Sequence, residues 1–253
     1  MNALLVRTTL ALVLGLAGSA GAHADEVLVA VAANFAAPMA RLADDFKAST
    51  GHTLKLASGA TGKFYSQIVA GGPFEVLLSA DDETPQRLIR EGHAVAGSAF
   101  TYAVGQLVLW SATPGLVDAQ GAVLASGRFQ KLAIANPKTA PYGRAAMEVL
   151  AARGLTAVLS PKLVTGESVA QAYQFVATGN AELGFVALSQ VSVPGKALVG
   201  SMWRVPAALH TPIRQDAVLL KAGAGKPAAA ALLQWLRSEP VQAVIRSYGY
   251  ERG

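Results

Sequence analysis

The chain has 253 residues, of which 52% are hydrophobic and 15% charged, with a formal net charge of +5. This composition excludes a disordered or fibrous chain and is enough for one large core or two smaller ones. The cations are scattered rather than clustered, which argues against a nucleic-acid partner. With no cysteine, a thiolate metal site, a disulfide framework and a lipid-anchored cysteine are excluded.

Residues 1–24 read as a secretory signal. They carry one cation, a short apolar core at 8–17 and the small-x-small site Ala22-His23-Ala24 before Asp25. The apolar core is short for a membrane span, and no later segment is long enough. The mature chain is therefore expected to be free in a periplasm, where ATP is scarce.

From Asp25 onward apolar runs alternate with amphipathic helices. Residues 27–33 (VLVAVAA) predict a buried strand; Phe35, Met39, Leu42 and Phe46 follow at helical spacing. Pro38 belongs near the first turn, so that helix starts close to Asn34. A second strand is expected at 53–57. A second helix carries Phe64, Tyr65, Ile68 and Val69 and ends at Gly71-Gly72-Pro73. A strand at 76–79 and a helix at 84–90 come next. Strands are then predicted at 106–110, 132–135, 183–188 and 213–220. Helices are predicted at 144–153, around Val169 to Val176, at 228–237 and after Ser238-Glu239-Pro240.

The alternation predicts an α/β fold with mixed, mostly parallel sheets and helices on both faces. Two lobes require the chain to cross between them more than once. Crossings are expected near 103–111 and 209–218. They divide the chain into a discontinuous lobe I (25–104 and 212–253) and a lobe II (105–211).

Ligands of open α/β sheets bind where strands end and helices begin, and helix starts expose unpaired N–H groups suited to anions. Four such corners stand out. Asn34 follows the first strand, as an N-cap or a ligand donor. SGATGK, Ser58 to Lys63, resembles half a phosphate loop, but Ala57 replaces the first glycine and Phe64 the metal-binding hydroxyl of a P-loop. ATP binding is therefore rejected. What remains is Thr61 as an N-cap donor, Ser58 as a weaker candidate, and two glycines that allow close backbone approach. Asn136 to Gly143 forms a proline-stiffened third corner, with the Tyr142 and Gly143 N–H groups available. Thr165 to Val169 is the fourth. It also supports a rival enzyme reading, in which Ser168 near a G-x-S-x-G elbow works with Glu182 and His210 as a secreted serine hydrolase. His52, His93 and His210 show no metal-ligand spacing. The acidic run Asp81-Asp82-Glu83 reads as a helix start rather than a cation site.

Several blocks together resemble the periplasmic molybdate-binding proteins of ABC transporters. They are VAVAANFAAPM, SGATGKFYSQIVAGGPFEVLLSAD, IANPKTAPYGRAAMEVL, AELGFVAL and SEPVQAVIRSYGY. The resemblance covers nearly the whole mature chain. It implies a two-lobed, type II periplasmic binding fold that closes on its ligand. It implies capture of molybdate, and of tungstate, by a monomer that delivers the ion to a membrane permease, with no catalysis and no cofactor. Another oxyanion such as sulfate is the alternative cargo. Carried across, Asn34, Thr61, Tyr142 and Val169 take the ligand positions. Two departures stand out. Ala187 falls where some members place a tyrosine hydroxyl, a donor the Asn34 amide would have to replace, and Glu75 falls where aspartate is usual.

Overall fold

Alternation along β1 (Glu26–Ala32) sorts its side chains onto two faces. Val27, Val29 and Val31 enter one buried cluster, with Phe35, Met39, Leu42 and Phe46 of the next helix. Ala30 enters another, with Phe64, Ile68, Leu77 and Leu88. The strand is covered on both faces, which is why it reads as a continuous apolar run. Each fully buried side chain such as Leu42 or Phe46 contributes about 1.5–3 kcal/mol through removal from water.

The structure, a computed structural model, describes residues 24–253. All of the expected signal except Ala24 lies outside them. After β1 a short 3-10 turn, Ala33–Phe35, leads into α1 (Ala36–Thr50). Then follow β2 (Thr53–Gly59), α2 (Thr61–Val69), β3 (Val76–Leu78), α3 (Glu83–Arg90) and β4 (Phe100–Gly105). The chain continues through β5 (Leu107–Ser111), α4 (Val123–Ser126), β6 (Leu132–Ala135), α5 (Pro141–Ala152), α6 (Thr156–Leu159), β7 (Leu163–Gly166), α7 (Val169–Ala177), β8 (Leu183–Ala187), α8 (Leu188–Val191) and β9 (Ser201–Arg204). It closes with β10 (Ile213–Leu219), α9 (Pro227–Leu236) and α10 (Glu239–Ser247).

Two five-stranded sheets share one plan, β2-β1-β3-β10-β4 and β7-β6-β8-β5-β9. In each, the first three strands pair in parallel, and the fourth runs antiparallel to both its neighbours. Each sheet with its helices forms one lobe. The chain passes from the first lobe to the second between Gly105 and Leu107, and back between Arg204 and Ile213.

Several elements differ from expectation for local reasons. β4, β7 and β9 were not anticipated; the last two are four residues long, too short for a two-residue period to register. α5 starts at Pro141 rather than Arg144, because proline at the first position needs no N–H partner. Ser238 precedes α10 in an extended conformation without a side-chain cap bond. Glu75 is buried and accepts a hydrogen bond from Lys226 Nζ at 2.5 Å. Its departure from aspartate is therefore a matter of anchoring α9 rather than of ligand chemistry.

Candidate functional site

Asn34, Thr61, Tyr142 and Val169 line one small cavity between the lobes, together with Gly59, Ala80, Pro141 and Ser168. Each lobe contributes two corners: the turn after β1 and the start of α2 from the first, the starts of α5 and α7 from the second.

The donors there are uncommitted. The main-chain N–H groups of Asn34, Thr61, Tyr142 and Val169 make no hydrogen bond to another described residue. This follows from position, since first-turn N–H groups have no intrahelical acceptor. The hydroxyl of Thr61, a residue 1% exposed, accepts from the Ala80 N–H at 3.0 Å and donates to no described residue. No carboxylate lines the cavity. The arrangement therefore offers hydrogen bonds and the positive ends of helix dipoles, and suits a small, fully ionised oxyanion.

Thr61 is the first residue of α2, with Ala60 at the N-cap, rather than the cap itself. Gly62 turns its open side to the opposite lobe instead of to a bound atom. Its N–H donates to the Thr139 carbonyl at 2.9 Å, and a Cβ there would lie 3.0 Å from Thr139 Cα and O. Lys63 pairs with Glu167 just ahead of α7. Arg144 of α5 reaches Asp81 at 3.0 Å. Asp81 also accepts from the Thr84 N–H at 3.0 Å, which is the helix-start role expected of the acidic run. These contacts hold the lobes together around the cavity.

Asn34 departs most from expectation. It sits inside the 3-10 turn and caps no helix. Its Nδ2 donates to Gln215 Oε1 and to the Tyr250 hydroxyl, both at 2.9 Å, and its Oδ1 is buried without a partner. The side chain is spent on the first lobe, so it does not stand in for the tyrosine hydroxyl missing at Ala187. Ser189 Oγ, from the second lobe, donates to the Asn34 carbonyl at 2.9 Å and lies 3.0 Å from the Tyr250 hydroxyl. Ser58 is exposed near the end of β2 and lies outside the cavity lining.

Comparison with known proteins settles the family. Residues 27–251 match the family described as bacterial extracellular solute-binding protein. The chain belongs to that family. Among solute-binding proteins it is 59% identical over 250 residues to the molybdate-binding protein ModA of Azotobacter vinelandii, covering 99% of each chain. It is 55% identical to the ModA of Rhodobacter capsulatus, covering 96% of this chain and 94% of that one. Among solved structures, the periplasmic molybdate-binding protein of Azotobacter vinelandii superposes with a TM-score of 0.88 at 43% identity, covering 90% of this chain and 99% of that one.

The hydrolase constellation is not assembled in this solute-binding protein. Ser168 Oγ caps α7 by accepting the Gln171 N–H at 3.4 Å. Burial pushes the Glu182 carboxyl up, but the N–H groups of Gln130 and Lys131 outweigh it and hold the carboxyl below its usual range. His210 Nδ1 is 2.8 Å from the Thr211 carbonyl oxygen, on the surface. None of the three hydrogen-bonds another. Among the described residues no group of three His, Asp or Glu side chains could hold a metal ion.

Tyr102, Gln215, Ser189 and Tyr250 escaped the sequence reading. Tyr102 and Gln215 carry no local signal. Tyr250 belongs to the closing YGY, which marked the resemblance without disclosing a role. Burial pushes the Tyr102 and Tyr142 hydroxyls well above the ordinary phenol range, and it does the same for Tyr250 against the opposing bonds from Ser189 and Asn34. All three stay protonated across the physiological range.

Proposed function

We propose that the protein captures molybdate in the periplasm and hands it to the membrane permease of an ABC transporter, working as a monomer without catalysis. Tungstate, of the same charge and shape, is taken as a second cargo. The observation that carries this reading is the convergence of four free N–H groups and the Thr61 hydroxyl on one cavity without a carboxylate. The relatives named above support molybdate as the cargo. Asn34 acts through its main-chain N–H, Thr61 through N–H and hydroxyl, and Tyr142 and Val169 through N–H. Residues 25–104 with 212–253 form one lobe and 105–211 the other, which the strand membership of the two sheets supports.

The chemistry selects by protonation. Molybdate carries no proton at neutral pH and only accepts hydrogen bonds. Phosphate retains a proton that needs an acceptor, and a wall without a carboxylate gives it none of the charged kind. Each hydrogen bond to the dianion contributes about 1.5–3 kcal/mol net, and each helix start roughly 0.3–2 kcal/mol. Sulfate, equally unprotonated, is refused by size. Titrating the ligand-free protein calorimetrically with molybdate, tungstate, sulfate and phosphate tests the reading. Tight binding of the first two and weak or no binding of the others is expected; phosphate binding as tightly as molybdate overturns it.

A further inference from the structure

Gln215 is fully buried in β10, at the irregularity before Asp216. Its Oε1 accepts from Asn34 Nδ2 at 2.9 Å and from the Tyr102 hydroxyl at 3.0 Å. Its Nε2 donates to the Tyr142 hydroxyl at 3.2 Å. Asn34 and Tyr142 are cavity residues from opposite lobes. One amide thus holds the side chains of two residues whose main-chain N–H groups are uncommitted at the cavity.

The contact lies where the chain passes between the lobes. Gly105, last residue of β4, stands beside it. A Cβ at Gly105 would lie 2.2 Å from the Tyr142 hydroxyl oxygen and 2.4 Å from Gln215 Nε2. Any larger residue would fill the space where the two side chains meet. Within the first lobe, Asn34 and Tyr102 already satisfy Oε1. The Nε2 bond is the part that reaches across, and the Tyr142 hydroxyl is the acceptor for that buried donor.

We infer that Gln215 is a positioning residue for anion capture: it ties the β1 corner of one lobe to the α5 corner of the other and so slows release of the bound ion. The inference rests on the oxyanion reading above. A bond made across the lobes when they close acts on the closed complex, so its loss speeds dissociation and leaves association unchanged.

Stopped-flow tryptophan fluorescence with molybdate, on the parent protein, Tyr142→Phe, Gln215→Met and the double variant, tests this. Tyr142→Phe keeps the main-chain N–H and removes only the hydroxyl. Its dissociation rate is expected to rise about two- to tenfold, the effect of one buried hydrogen bond, with the association rate within about twofold of the parent. Gln215→Met is expected to speed release at least as much. In its background, Tyr142→Phe should add nothing, because the partner is already gone. An unchanged dissociation rate in Tyr142→Phe, or additive effects in the double variant, overturns the inference. If Gln215→Met fails to fold, the Tyr142→Phe rates decide alone, alongside an unchanged ligand-free melting temperature. A parent protein that binds no molybdate overturns the functional reading instead, so the two failures are distinct.

Discussion

Thr61 carries two donors in one residue, a first-turn N–H and a hydroxyl whose proton has no acceptor among the described residues. Thr61→Ala keeps the first and deletes the second. A hydrogen bond to a charged ligand is worth about 1.5–3 kcal/mol, so the molybdate Kd should rise about ten- to a hundredfold by calorimetry. Ser58→Ala, at an exposed position near the end of β2, should leave the Kd within about twofold, and a larger change would bring Ser58 back into the site. Titration behaviour is set at this scale too. Burial raises the Tyr142 phenol pKa, and deprotonation would put a negative charge beside the dianion. Because the shift is upward, that event moves away from neutrality. Affinity should therefore be flat from about pH 6 to 9; a fall within that window would show a titrating group at the cavity.

Helix starts decide the site at the level of elements, and they were the legible part. A strand run followed by Thr61, by Pro141-Tyr142 or by Ser168-Val169 announces an open first turn, because the residue types that begin helices are few. What those corners face is not written locally. Gly62 reads as a place for a ligand to approach, yet it meets the Thr139 backbone of the other lobe. Asn34 reads as a cap, yet its amide is bound to Tyr250, 216 positions away. β4 went unread because its hydrogen-bonding partner, β10, arrives only at Ile213. Gly62→Ala should oppose closure. Overpacking of this kind costs about 1–3 kcal/mol, so molybdate affinity should drop by roughly five- to a hundredfold. The ligand-free melting temperature should stay within a degree or two, because the clash exists only between the lobes. A variant that binds as tightly as the parent would show that the lobes can give way there.

For the whole molecule, ligand binding and lobe closure are one equilibrium. Saturation at a hundred times Kd stabilises the closed form by about 2.7 kcal/mol, which for a chain of this size raises the melting temperature by roughly 5–11 °C. Molybdate and tungstate should give that shift in a thermal melt and phosphate should not; an equal shift with phosphate would contradict selection by protonation. The Lys63–Glu167 ion pair across the cleft adds little to it. Lys63 and Glu167 are both more than half exposed, and pairs so placed contribute about 0–1 kcal/mol. Lys63→Ala should therefore weaken molybdate binding less than about fivefold at moderate salt, and a loss beyond tenfold would mean that the pair is shielded when the lobes close.

The shared strand plan has a consequence for the order in which the molecule is built. The second sheet draws all its strands from one continuous stretch, Leu107 to Arg204, whereas the first needs β10 between β3 and β4. As the polypeptide emerges from its N-terminus, the later-encoded half can finish before the earlier one, whose β4 waits for its neighbour until about the last sixth of the chain appears. A nascent chain halted before Ile213 should resist protease across the second sheet and be cut within the first.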